Sequence, residues 1–333
     1  MNSKTYKIGF IGAGSIGTLF GGKIASNQSE KYKTEVILFG RKPHIDMVNR
    51  NGLRVEENGK VEKVSNIFGF TDIQSYQTFF KVLGLHNFDF LFLTTKAYDI
   101  EQSIKDYKMI IEKCKFFVLL QNGLGNEETA RNYISDHKII RALTTDGAFL
   151  KRPGLVIHTG EGLTQIGFPF SQSRVNDSKD YYKKWLYRLK EILLDSGFKT
   201  KQVDEIQTKC WEKIFVNIGI NAFGALTRLE NGKLLEIKNL KELMHKAIKE
   251  AYEIAKRKNV PLEKKDYTEA AYQVAQHTYN NKNSMLQDIL QKKKTEIDYI
   301  NGKIVEYARE MGKKVPINET LTYLIKGLEE SWK

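Results

Sequence analysis

A Rossmann-type α/β domain followed by an all-helical domain is the fold class this sequence predicts, and three observations predict it. A glycine motif, Gly12-Ala13-Gly14-Ser15-Ile16-Gly17, directly follows the β-rich run Lys7–Ile11. Continuous apolar runs, Phe90-Leu91-Phe92-Leu93 and Phe116-Phe117-Val118-Leu119-Leu120, recur in the first half, as expected of strands covered on both faces by crossover helices. After about Val203 the strand signals stop and long helical periodicities take over. At 333 residues the chain is longer than one core usually organises, so two domains are expected, 1–203 and 204–333.

Taken in order, Lys7–Ile11, Glu35–Phe39, Phe88–Thr94 and Phe116–Leu120 are the strands of a parallel sheet built from βαβ units. From Ile139 to Gly167 the β-like pieces become shorter and are broken by Gly147, Pro153, Gly154 and Gly160, which predicts added strands at one side of that sheet. Tyr181–Leu194 reads as an amphipathic helix. Further helices are predicted over Glu205–Ile220, Lys238–Lys258, Lys265–Asn280, Thr295–Met311 and Glu319–Ser331. The junction near Val203 has no Pro- or Ser-rich linker, which predicts two domains packed around a cleft.

Composition narrows the function classes. Apolar residues at 41% and aromatics at 11% suffice for two cores and exclude a disordered tail protein. Lys+Arg of 53 against Asp+Glu of 40 leaves a net charge of +13, which suits nucleic acid, an anionic membrane surface or small anionic ligands. The basic residues are spread along the chain with no interleaved aromatic module, which argues against nucleic acid. The longest apolar runs fall far short of the roughly 18 residues of a membrane-spanning helix, so no membrane partner is expected. Cys114 and Cys210 form no CxxC pair and the six histidines are scattered, so neither a disulfide framework nor a metal site is expected, and a cytoplasmic setting fits. The glycine-rich N-terminus reads as strand and turn rather than as a signal peptide. Without such a signal, the sequons at Asn27, Asn176 and Asn318 carry no weight.

The glycine motif names a cofactor class. Gly12 permits the tight turn, Gly14 lets backbone approach a pyrophosphate, and Gly17 allows helix to pack closely on strand, with Ala13, Ser15 and Ile16 completing the loop. The helix opening there offers free amides and a positive dipole end. A glycine turn without ligand is the bland alternative. The second strand ends in Phe39-Gly40-Arg41-Lys42, placing cations where an acidic residue would select the ribose 2′-hydroxyl, so NADP(H) is favoured over NAD(H). An ordinary solvated basic pair is the competing reading of Arg41 and Lys42.

A second constellation points to a reaction. Lys213, Asn217 and Asn221 fall at i, i+4 and i+8, on one face of a helix whose other residues are largely apolar. Buried polar groups need partners, and a polar ligand would supply them; a face turned to water or capping nearby loops is the alternative.

The segments Trp211-Glu212-Lys213-Ile214-Phe215-Val216-Asn217 with Asn221, Asn231-Gly232, Ser284-Met285-Leu286-Gln287-Asp288 and Thr295-Glu296-Ile297-Asp298-Tyr299-Ile300-Asn301-Gly302 together resemble the ketopantoate reductase family. The glycine motif, Arg41, Thr95-Lys96 and Gln121-Asn122-Gly123-Leu124-Gly125 fit the same family in the same order. The resemblance implies NADPH-dependent reduction of the 2-keto group of ketopantoate to pantoate, a step towards pantothenate and coenzyme A. It further implies Lys213 as the catalytic lysine and Glu296 as the carboxylate that holds the substrate hydroxyl. Lys96 and Asn122 become cofactor-side residues near the cleft, Asn122 also reaching substrate. Asn217, Asn221, Asn231, Asn281 and Ser284 become substrate-binding positions. Asn283 stands where the family often has serine, and Asp72–Asn87 is longer than usual with no assigned role.

The chemistry needs these residue types. Hydride transfer to a carbonyl carbon requires stabilisation of the charge growing on oxygen, and a protonated lysine both stabilises it and donates the proton. Three readings remain open: ketopantoate as substrate, another 2-keto acid reduced by the same mechanism, or an NADP(H)-binding sensor without turnover. A homodimer through the long helices is compatible with the sequence.

Overall fold

The structure, a computed structural model, describes residues 4–27, 29–80, 87–170 and 179–332. Residues 81–86 of the long 72–87 segment and the sequon at Asn176 lie outside the described residues. The chain divides into two compact units, Met1–Gln121 with Asn126–Ile206, and Asn122–Gly125 with Gln207–Lys333.

The first unit holds β1 (Lys4–Ile11), β2 (Tyr32–Phe39), β3 (Leu53–Glu57), β4 (Lys60–Val64), β5 (Ile67–Phe70), β6 (Phe90–Leu93), β7 (Phe116–Leu119), β8 (Ile139–Thr144), β9 (Gly147–Arg152), β10 (Leu155–Gly160), β11 (Thr164–Gly167) and β12 (Thr200–Gln202). Among the described residues, eight of these form one sheet in the order β12-β11-β8-β7-β6-β1-β2-β5. From β5 to β8 every neighbouring pair is parallel, and β11 runs antiparallel to β8. The strands β6 and β7 are buried along their whole length, as their unbroken apolar runs require. The chain passes outward from β1 to β2 and β5, then returns to β6 on the other side of β1. That reversal is a topological switch point, where ligands bind beyond the carboxyl ends of the strands.

Not all of the strands predicted over 139–167 join this sheet. While β8 and β11 do, β9 and β10 form a separate sheet with β3 and β4 in the order β4-β3-β10-β9. The reason lies in their patterning: β8 is buried throughout, whereas the β9–β10 hairpin, turning at Gly154 with φ +75°, has one face half-exposed, which an antiparallel ribbon tolerates. The helix Ser15–Ala25 buries Leu19, Phe20 and Ile24 completely in the same core as Phe10 and Leu38 of the large sheet and Val55 of the small one. No apolar run announces β3 or β4: Lys60–Val64 is exposed at all but its last residue.

The second unit is helical among its described residues, with helices Ile206–Thr227, Lys233–Glu236, Lys238–Arg257, Tyr267–His277, Ser284–Leu290, Asn301–Glu310 and Pro316–Glu330. The helix predicted over Thr295–Met311 is broken. Thr295 Oγ1 accepts from the Ile297 N–H at 3.2 Å, a short 3-10 turn follows over Ile297–Tyr299, and the α-helix begins only at Asn301. The last helix starts earlier than predicted because Pro316 is tolerated in a first turn, where no amide donor is needed.

A buried amide chain ties three of these helices. Asn301 Nδ2 donates to Asn318 Oδ1 at 3.0 Å, and Asn318 Nδ2 donates to the Ala247 carbonyl at 2.9 Å and to Glu250 Oε2 at 2.8 Å. The sequon asparagine Asn318 is therefore interior. Neither cysteine is in a disulfide and both are buried, and burial pushes the Cys114 thiol up to about 12. Among the described residues no helix is long and apolar enough to cross a membrane, and no group of three His, Cys, Asp or Glu side chains could hold a metal ion.

Candidate active site

The glycine loop is suspended from the ends of three strands in the first unit. The amides of Gly12 and Ala13 both donate to the Phe39 carbonyl, at 3.0 and 2.8 Å, which fixes the loop to the end of β2. From the end of β6, Thr94 Oγ1 donates to the Gly12 carbonyl at 2.7 Å. Gly12 has φ +102°, and a Cβ at Gly17 would stand 2.4 Å from both Gly12 O and Thr94 Oγ1, so neither position accepts a side chain. A Cβ at Gly14 would meet nothing within 4 Å, which leaves that face of the backbone open to a ligand.

Gly14 caps the Ser15–Ala25 helix with no side-chain hydrogen bond, and the first turn carries no acidic residue. Its amides thus need an outside acceptor, and an anion satisfies both the donors and the dipole. Ala13 is buried and Ile16 packs against the core, so they present backbone rather than side chain. Ser15 Oγ accepts from the Leu150 N–H of β9 at 3.1 Å, which leaves its hydroxyl proton to donate elsewhere.

Arg41 follows β2 and stands at the N-cap of the Lys42–Asn51 helix, exposed, its carbonyl accepting from the His44 and Ile45 amides while its guanidinium has no hydrogen bond or ion pair among the described residues. Lys42 instead reaches Asp46 at 3.2 Å, so of the two cations it is Arg41 whose side chain has no partner among the described residues. Lys96, half-buried, caps the short turn Ala97–Asp99 after β6.

Under this cradle lies His44, on the Arg41 helix. Its Nδ1 accepts from the Gly154 N–H at 3.1 Å, so the ring proton sits on Nε2, facing Thr18 Oγ1 at 3.2 Å on the glycine-loop helix. Burial pushes the His44 imidazole down to about 4. The neutral ring braces the two helices that present Arg41 and the glycine loop.

In the second unit, Lys213 Nζ donates to Asn122 Oδ1 at 2.8 Å, and Asn122 Nδ2 donates to Glu296 Oε2 at 3.4 Å. One carboxamide thereby joins a lysine from the Ile206–Thr227 helix to a carboxylate from the 3-10 turn. The loop carrying Asn122 makes this approach because Gly123 and Gly125 adopt φ of +91° and +84°, and the Leu124 N–H donates to the Tyr299 carbonyl at 3.0 Å. Glu296 is 6% exposed.

Further along the same helix face, Asn217 is half-buried and Asn221 buried, and neither carboxamide has a hydrogen-bond partner among the described residues. Two such amides beside a lysine–carboxylate pair form a polar wall that a carboxylate or hydroxyl ligand would satisfy. Ser284, exposed, opens the helix Ser284–Leu290.

Asn283, the departure from the family pattern, does structural work. Its Oδ1 accepts from the Leu286 N–H at 2.9 Å as the N-cap of Ser284's helix, and its Nδ2 donates to the Ile220 carbonyl at 3.4 Å. A Cβ on Gly224 would lie 2.2 Å from that Nδ2, so glycine there is what admits the contact. An asparagine immediately before a helical run is an N-cap signal that sequence reading left unused. Asn231 is buried, with Nδ2 donating to Thr278 Oγ1 at 2.9 Å and its N–H to the Asn281 carbonyl at 3.0 Å. Asn281 has an exposed side chain and is tied to Asn231 through its backbone.

A family model described as ketopantoate reductase PanE/ApbA matches residues 8–169, and one described as its C-terminal part matches residues 205–329. A 2-dehydropantoate 2-reductase from Pyrococcus horikoshii is 34% identical over 323 residues, covering 97% of either chain. A solved PanE/ApbA family ketopantoate reductase from Ralstonia eutropha JMP134 is similar with TM-score 0.82 and 25% identity, covering 98% of this chain and 99% of that one. A D-mandelate dehydrogenase solved with NADH and anilino(oxo)acetate shares the fold at TM-score 0.83 and 24% identity, with coverage of 98% and 99%.

Proposed function

Since the chain belongs to the ketopantoate reductase PanE/ApbA family, we propose that it catalyses the NADPH-dependent reduction of ketopantoate to pantoate in the cytoplasm, with 1–203 binding cofactor and 204–333 supplying catalysis. The observation that carries this reading is the Lys213–Asn122–Glu296 chain of hydrogen bonds. It presents a cationic donor and a carboxylate acceptor at a fixed separation, the pair that a 2-keto acid bearing a hydroxyl requires.

The nicotinamide cofactor, when bound, supplies the hydride. The residues of this chain do the rest. The open backbone at Gly14 and the uncapped first-turn amides of Ser15, Ile16 and Gly17 would hold the pyrophosphate, and Ser15 adds a hydroxyl donor. Arg41, unpaired, supplies the positive charge for a 2′-phosphate, and Lys96 and Asn122 serve the cofactor side.

Lys213 neutralises the charge that grows on the carbonyl oxygen and gives it the proton, with Asn122 Oδ1 fixing the direction of Nζ. Glu296 accepts from the substrate hydroxyl. Asn217, Asn221 and Ser284 donate to the substrate carboxylate, while Asn231 and Asn281 hold the loop from which Ser284's helix starts.

NADPH oxidation followed by absorbance, with ketopantoate beside NADH and a panel of other 2-keto acids, tests cofactor, reaction and substrate together. Saturable turnover with ketopantoate and NADPH is the expected result. Turnover with another 2-keto acid alone would replace the substrate, and NADPH binding without turnover would leave a sensor.

A further inference from the structure

Arg141 is completely buried, the largest side chain of this kind in the protein's described residues, and it stands on β8 beside Leu119 of β7. Its guanidinium does not serve the ladder. Nη1 donates to the carbonyls of Leu119 and Ala142, each at 3.0 Å, and Nη2 donates to the Gln121 carbonyl at 2.7 Å. Nε lies 3.5 Å from Oε2 of Glu127, whose side chain is only 4% exposed.

These partners bracket one short piece of chain. Gln121 is the residue before the Asn122–Gly125 loop, and Glu127 lies in the helix Asn126–Arg131 that follows it. Arg141 therefore grips both flanks of the loop whose first side chain bridges Lys213 and Glu296. The Gln121 carbonyl belongs to the peptide plane that contains the Asn122 N–H, so fixing that oxygen fixes the direction in which Asn122 leaves the strand. The loop needs such a restraint, because Gly123 and Gly125 give it backbone freedom that no other residue type would.

Stability alone does not explain the arrangement. Taking a guanidinium and a carboxylate out of water is costly, and a buried ion pair replaced by apolar groups of like volume is often neutral or stabilising, whereas loss of one partner is strongly destabilising. A planar fork that serves three backbone carbonyls at once, one of them on the residue just before Asn122, is what a lysine cannot supply. We infer that Arg141 is a positioning residue that sets the Asn122 carboxamide, and through it Lys213 Nζ, for catalysis. The inference rests on the proposed role of Lys213, and Arg141 and Glu127 are not among the residues proposed to touch substrate or cofactor.

The test uses the full-length chain with R141M/E127Q, which removes both buried charges together, and R141K, which keeps the charge beside Glu127 but loses the fork. Wild-type turnover of ketopantoate with NADPH is measured in parallel, so failure of the functional reading is seen separately as absent wild-type turnover. Both variants should bind NADPH within about twofold of wild type, with kcat lower by about tenfold or more and KM for ketopantoate changed far less, the split expected when a proton donor is misplaced. Should R141M/E127Q fail to fold, R141K carries the same test. Wild-type kcat in a folded variant lacking the fork would overturn the inference, as would loss of NADPH affinity in step with kcat.

Discussion

The side-chain oxygen of Asn122 accepts from Lys213 Nζ at 2.8 Å while its nitrogen donates to Glu296 Oε2, so the two groups that carry the proposed chemistry are held by the two ends of one amide. This polarity matters: an amide can accept from an ammonium and donate to a carboxylate at once, and a carboxylate in its place cannot. Asn122→Asp should lower kcat more than Asn122→Ala, because it sets a like charge against Glu296 and stabilises the protonated lysine. Lys213→Ala should lower kcat by about 10² to 10⁴-fold, the range for a lost general acid, with NADPH affinity little changed. Steady-state kinetics with cofactor titration checks all three. A near-normal kcat in Lys213→Ala would remove that residue from the mechanism.

Arg41 makes the cofactor assignment testable by itself. Its guanidinium is exposed and unpaired among the described residues, so its removal costs the free protein no visible contact. Arg41→Ala should weaken NADPH by about 1.5 to 3 kcal/mol, the worth of a charge-assisted hydrogen bond, and leave NADH nearly unaffected. Lys42→Ala should do less, since Lys42 is already drawn to Asp46. Fluorescence titration with both cofactors decides it, and an unchanged preference would sink the role of Arg41.

Much of this was legible in the residues, and the remainder has physical causes. The Gly12–Gly17 pattern after an apolar run fixes strand, turn and helix together, because no other residue type fits Gly12 or Gly17. The i, i+4, i+8 spacing of Lys213, Asn217 and Asn221 survives directly as a helix face. What stayed hidden depends on contacts far apart in sequence. The small sheet draws β3 and β4 to β10 across about a hundred residues, with strands too polar to announce themselves. Asn122 meets Lys213 and Glu296 from a loop, and nothing in local periodicity reports a pairing 91 or 174 residues distant.

Asn283 offers a prediction that separates capping from catalysis. Asn283→Ala removes both the N-cap acceptor and the donor to Ile220, and loss of the cap alone should cost about 0.5 to 2 kcal/mol of stability. Asn283→Ser, which keeps a capping oxygen but is too short for Ile220, should recover most of that stability while KM for ketopantoate stays raised. The raised KM follows from Ser284 losing its anchorage to the helix that carries Asn217 and Asn221. Thermal unfolding beside steady-state kinetics measures both; a wild-type KM in either variant would confine Asn283 to capping.

His44 gives the protein an acid limit whose sign can be worked out. Burial holds its imidazole down to about 4, against about 6.5 in an unfolded chain, so the unfolded state takes up the proton first. The stabilisation from a neutral His44 is therefore complete above about pH 6.5 and is lost as pH falls through that range towards 4. Protonation would also place a donor on Nδ1 against the Gly154 N–H, breaking the contact that closes the β9–β10 turn onto the Arg41 helix. Replacement by glutamine, neutral at every pH, should remove this one source of acid sensitivity. Urea unfolding of wild type and His44→Gln between pH 7.5 and 4.5 should give stability curves that converge as pH falls, and curves that stay parallel would show that His44 does not titrate between the two states.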